Sequence, residues 1–146
     1  MDILQFLTLS VLIDVAAGTA LTTKLPVIDD TPWHLYKAVF CPNATTAVDA
    51  ANYADIQVLA SDGTTVIADW STLTTADGAL TDGVPANLAF TGDAGAVFYG
   101  AEHQVIVGNS APTSPKVKVV HTGTGAAIDG RLVVILKRGQ RTQARS

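Results

Sequence analysis

At 146 residues the chain is the size of one domain, and 48% apolar against 15% charged residues excludes a disordered polypeptide. Twelve glycines and six prolines are too few for a fibrous repeat. The formal charge of −4 is unevenly spread: residues 137–146 carry Lys137, Arg138, Arg141 and Arg145 with no acid, leaving the other 136 residues at −8. An acidic body of that kind repels phosphate, which excludes a sequence-specific nucleic-acid reader.

Thr, Val and Ile together supply 42 residues, while Glu and Met occur once each. β-Branched side chains lose little freedom in a strand and pack well on a pleated surface, so the composition predicts an all-β domain. In chain order, Leu7, Leu9, Val11, Ile13 and Val15 alternate with Thr8, Ser10, Leu12, Asp14 and Ala16, a strand pattern. This apolar start lacks a basic leader, is flanked by Asp2 and Asp14, and is interrupted by Gln5, Thr8 and Ser10. It reads as a strand of the folded domain rather than a signal peptide, and it is too short and polar to span a bilayer.

Trp33 to Cys41 reads as a strand bracketed by Pro32 and Pro42, with Trp33, Leu35 and Val39 on one face and Tyr36, Ala38 and Phe40 on the other. Alternation makes Cys41 a small buried hydrophobe in that strand, and a single cysteine excludes an internal disulfide. Thr45 to Ala54 is the only helix candidate, a marginal one. Asp55–Ala60 and Thr65–Trp70 flank Asp62-Gly63 and predict a hairpin. Ser71 to Pro85 is an irregular excursion rich in Thr, Asp and Gly. Short strands follow at 87–91, 96–99, 104–108, 116–121 and 131–136. Eight to ten short antiparallel strands separated by turns predict a single-domain β-sandwich, jelly-roll-like.

Chemistry-bearing motifs are sparse. Asp29-Asp30 precede Pro32 and read as a turn. His34, His103 and His121 lack zinc spacing, and the aspartates between Asp77 and Asp93 lack the dense alternation and closing Glu of a calcium loop. No nucleophile elbow is present, and Gly123-Thr124-Gly125 lacks the third glycine and helix of a dinucleotide loop. The chain is therefore expected to be no enzyme, with no catalytic residue, no cofactor and no metal. A sugar platform needs an exposed Trp or Tyr, for which Trp33 and Trp70 are the candidates, with Trp70 the better one.

Four segments carry a resemblance. Leu35-Tyr36-Lys37-Ala38-Val39-Phe40-Cys41-Pro42, Asn52-Tyr53-Ala54-Asp55-Ile56-Gln57-Val58-Leu59, the stretch from Gly83 through Leu88-Ala89-Phe90-Thr91, and Gly108 onward to Gly130-Arg131-Leu132-Val133-Val134-Ile135-Leu136 resemble small tailed-phage virion proteins. The pattern departs at Tyr99-Gly100-Ala101-Glu102-His103, and the basic tail is unusual for it. The resemblance implies a β-sandwich on the capsid exterior that decorates or cements the shell, with the major capsid protein as partner and a homo-oligomer, a trimer favoured. The expected organisation is an N-terminal arm or added strand over residues 1–30, a sandwich over 31–138, and a basic tail over 139–146. Candidate partner-binding residues are Leu4, Phe6, Leu12, Lys137, Arg138, Arg141 and Arg145, and some of Leu4, Phe6, Leu12, Val134 and Leu136 are expected to be covered by another subunit. The alternative is a carbohydrate- or receptor-binding β-sandwich, a fibre-tip or lectin-like module.

Overall fold

The computed structural model describes residues 3–25, 33–60, 63–91, 97–98 and 116–140. Ten strands are formed among them: β1 (Ile3–Val15), β2 (Leu21–Lys24), β3 (Trp33–Pro42), β4 (Ala54–Leu59), β5 (Val66–Ser71), β6 (Ala86–Asn87), β7 (Ala89–Phe90), β8 (Val97–Phe98), β9 (Lys116–His121) and β10 (Ile128–Gln140). No helix occurs among the described residues. One sheet runs β1-β10-β3-β6 with β8 also on β3, the other β2-β9-β4-β5-β7, and every strand pair is antiparallel.

The pairs nest in sequence. β1 pairs β10, β2 pairs β9, β3 pairs β8 and β4 pairs β5, so these eight strands nest as a two-stranded ribbon turning back between β4 and β5. Rolling that ribbon brings β10 onto β3 and β9 onto β4 and splits it into two sheets. This is the winding of a jelly roll. The sandwich is thus an all-β fold of the expected class, although β1 and β10, at 13 residues each, are long rather than short.

Period-two alternation supplies the core. Ile13, Phe40, Leu132 and Leu136 from the first sheet and Ile56, Val58, Ile67, Val117 and Val119 from the second are fully buried, with Leu80 from the irregular excursion beside them. Residues 86–90 pass from one sheet to the other. Ala86–Asn87 pairs β3, Ala89–Phe90 pairs β5, and buried Leu88 between them donates its amide to Ala38 O at 2.9 Å.

A bulge corrects the reading of β3. Leu136 pairs Leu35 and Ile135 pairs Lys37, so Tyr36 is an extra residue on β3. The bulge shifts the phase: Trp33 and Leu35 point inward before it, Ala38 and Phe40 after it, and Cys41 is exposed rather than buried. The helix candidate at 45–54 is also overturned. Asp49 Oδ1 accepts the amides of Ala51 and Asn52, both at 2.7 Å, closing a side-chain turn where a helix needs backbone acceptors. Thr46 and Leu80 exchange amide–carbonyl bonds of 2.8 and 2.9 Å, tying the segment to the excursion instead. Within β10, Gly130 is required by close approach: a Cβ there would stand 2.4 Å from Cys41 O and 2.6 Å from Phe40 Cζ.

Candidate functional site

The solvent face of the β1-β10-β3 sheet gathers the exposed apolar side chains of two long strands. In β1 the even positions Phe6, Thr8, Ser10, Leu12 and Asp14 are exposed, while Leu9, Val11, Ile13 and Val15 are buried beneath. β10 contributes Arg131, Val133, Ile135 and Lys137, and β3 contributes His34, Tyr36, Lys37, Val39 and Cys41. Register fixes the rows: Phe6–Lys137–His34, Thr8–Ile135–Lys37, Ser10–Val133–Val39 and Leu12–Arg131–Cys41.

Phe6, Leu12 and Tyr36 are 54%, 61% and 51% exposed. The bulge places Tyr36 where its ring meets Phe6 edge-on, with centroids 5.3 Å apart and planes at 73°. Lys137 Nζ stands 5.7 Å from the Tyr36 centroid, within cation–π range. At the other end Arg131 Nη1 donates to Ser10 Oγ at 2.8 Å. The face carries aromatics and aliphatics interleaved with Lys37, Lys137 and Arg131, a composition suited to docking another protein. Sequence reasoning missed Tyr36 and Lys37 here, because nothing in the alternation signals a bulge.

Of the sequence-derived candidates, Phe6, Leu12 and Lys137 come together on this face. Leu4 holds a register position opposite Gly139, and Arg138 one opposite Gln5. Arg141 and Arg145 lie outside the described residues. Val134 and Leu136 are corrected: both point inward and are covered by the chain's own core, since the parity of β10 puts them opposite its solvent-facing positions. Residues 3–15 and 21–24 pair β10 and β9 of the same chain, and β10 continues through Gln140.

The remaining chemical candidates are spread apart. Trp33 is buried; Trp70 is half-buried against the core, and its indole N–H donates to Gly78 O at 3.0 Å. Both ring nitrogens of His121 engage backbone carbonyl oxygens, those of Thr19 and Ala126, joining the β1–β2 and β9–β10 connections. Asp77 Oδ2 accepts the Ser71 amide at 2.8 Å. Burial, and then the nearby carboxylates of Asp77 and Asp55, hold the Asp69 carboxyl above its ordinary value. The two amides on Asp49, Ala51 first, hold that carboxyl below its ordinary value. Among the described residues no three His, Cys, Asp or Glu side chains converge to hold a metal, and no helix is long and apolar enough to cross a membrane. Asp29, Asp30, Asp62, Asp93 and His103 lie outside the described residues.

No protein-family model matches the sequence, and no curated protein matches it. A chain in the structure of infectious bursal disease virus Gt strain is similar over 97% of this chain and 37% of its own length, at 12% identity and a TM-score of 0.32. The chain therefore spans well under half the length of that neighbour.

Proposed function

We propose that this chain is a structural virion protein of a tailed phage, a non-catalytic subunit that decorates or cements the capsid exterior through protein–protein contacts. The carrying observation is the exposed Phe6–Tyr36 pair with Leu12 on one sheet face. Large apolar side chains held at the surface of a rigid sandwich gain free energy only when another surface covers them. Lys37, Lys137 and Arg131 on the same face, with Arg138, Arg141 and Arg145 following in sequence, suit an acidic patch on the major capsid protein. The resemblance of four segments to small tailed-phage virion proteins supports the same reading and supplies the identity of the shell. For the carbohydrate-binding alternative, the best aromatic candidate has its indole N–H engaged and its ring against the core.

The test is co-sedimentation of the purified chain with a panel of tailed-phage heads stripped of decoration. Saturable binding is expected. Tyr36→Ala should weaken it by roughly 10-fold, the loss typical of an interface anchor, and added salt should weaken it further. Absence of binding across the panel, or binding indifferent to both Tyr36→Ala and salt, overturns the proposal; selective binding on a glycan array would favour the alternative.

A further inference from the structure

We propose that β1 is also a self-association edge, pairing antiparallel with β1 of a second copy about a two-fold axis at Leu9. The inference rests on the structural-subunit reading and names one of its contacts. β1 ends the order of its sheet, and among the described residues only β10 pairs it. Sheet edges are normally kept short, charged or interrupted, because a bare edge templates pairing with another chain. The other edges among the described residues follow that rule: β2 has four residues and ends on Lys24, and β6, β7 and β8 have two residues each. β1 does the opposite. Its 13 residues, Ile3–Val15, contain no Pro, Gly, Lys or Arg, and Asp14 is the single charge.

The strand is also complementary to itself. Only registers that pair even with even positions keep each side chain on its own face of the sheet. The one that overlaps all 13 residues turns about Leu9, the midpoint of Ile3–Val15. That same register sets Phe6 opposite Leu12 of the second copy, twice, and Thr8 opposite Ser10, twice. Among the side chains described on this strand, Phe6 and Leu12 are the exposed large apolar ones, and cross-strand neighbours of this kind stand close enough to cover one another. Ser10 Oγ already accepts from Arg131, which leaves its O–H to donate to Thr8 Oγ1 across the axis. Roughly a dozen backbone hydrogen bonds would complete the ladder. The result is an isologous contact that joins the two β1-β10-β3 sheets into one and sets both candidate docking faces on the same side.

Sedimentation velocity on the full chain at micromolar concentration tests this. A particle of twice the 15.1 kDa chain mass is expected. The Phe6→Lys/Leu12→Lys variant opposes like charges at both positions and should raise the dimer dissociation constant by roughly 100-fold. The Phe6→Lys/Leu12→Glu variant opposes unlike charges only in this register and should restore the dimer. Circular dichroism checks that both variants keep the β fold, which their exposed positions favour. A monomer or a trimer for the unmodified chain, or failure of the unlike-charge variant to recover the dimer, overturns the inference. Head co-sedimentation separates the two ideas: a monomer that still binds heads refutes the β1 contact alone, and a dimer that ignores heads refutes the capsid reading alone.

Discussion

Whether β1, within the expected arm or added strand of residues 1–30, behaves as an appendage or as part of the body can be tested at two neighbouring side chains. Ile13 is fully buried between the sheets, whereas Leu12, one residue away, is 61% exposed on the solvent face. Ile13→Ala removes buried methyl and methylene groups from a site walled by its own core, so the cost is the transfer term plus the cavity left behind, about 2–5 kcal/mol. Leu12→Ala should cost under about 0.5 kcal/mol in a monomeric background, the range of ordinary surface changes. Removing residues 1–15 withdraws Leu9, Val11, Ile13 and Val15 together. At about 1.5–3 kcal/mol for each buried side chain, that loss is comparable with the whole stability of a domain of this size. The truncated chain should therefore not fold. Urea titration followed by far-ultraviolet circular dichroism reads all three variants, at protein concentrations low enough to keep the chain monomeric. A cooperative unfolding transition in the truncated protein, or equal midpoints for Ile13→Ala and Leu12→Ala, would refute the placement of β1 in the core and return it to the status of an arm.

Gly130→Ala should destabilise by about 1–3 kcal/mol, because the new methyl meets a ladder carbonyl and a fully buried ring that have no room to retreat; thermal melting checks it, and an unchanged midpoint denies the close approach. Asp69→Asn should stabilise the protein at neutral pH. With the folded carboxyl raised above 3.8, stability falls as pH rises from 3.8 through the raised value, so the gain should vanish below pH 3.8, as melting across a pH series will show. Asp49 has the opposite sign: its folded value lies below 3.8, so the stabilisation it gives is full above 3.8 and lost as pH falls through the folded value. Asp49→Ala should accordingly lower the melting temperature at pH 7 and match the unmodified chain at the acid end of the same series.

The strands were legible wherever alternation ran unbroken. β4, β5 and β9 fall within one residue of where period two put them, β10 extends the expected 131–136 to Ile128–Gln140, and the β4–β5 hairpin closes with Ala60 N donating to Thr65 O at 2.9 Å. Alternation failed at Tyr36, since a bulge inserts one residue and inverts every parity after it, and Cys41 was misplaced as a consequence. It gives no guidance at Val134 and Leu136, where an almost wholly apolar run hides which parity faces inward. The Ala-rich stretch at 45–54 read as a helix because propensity counts side chains one at a time. The Asp49 carboxylate and the Thr46–Leu80 bridge act on the backbone and are invisible to that count. As for the candidate face, Phe6, Leu12 and Lys137 were found from sequence, but the meeting of Phe6 and Lys137 with Tyr36 depends on pairing residues over a hundred positions apart, and Leu12 lies at the other end of the face.

That separation has a kinetic consequence. β1 pairs β10 from Ile3↔Gln140 to Val15↔Ile128, so the pair closes the largest loop among the described strand pairings. The entropy of closing it is lost before any of its contacts form, whereas the β4–β5 hairpin closes a loop of a few residues. β1 should therefore dock late, onto a sandwich already formed from β3, β4, β5, β9 and β10. This order also keeps the long edge, with its single charge at Asp14, from being offered to other chains while the core is still open. The expectation is kinetic and sharp. Ile13→Val in β1 should leave the refolding rate nearly unchanged and speed unfolding, while Ile56→Val in β4 should slow refolding. Stopped-flow measurements in dilute solution compare the two, each substitution costing about 0.5–1.5 kcal/mol at equilibrium. If Ile13→Val slows refolding as strongly as Ile56→Val, the ends of the chain meet in the transition state, and late docking cannot be what protects the β1 edge.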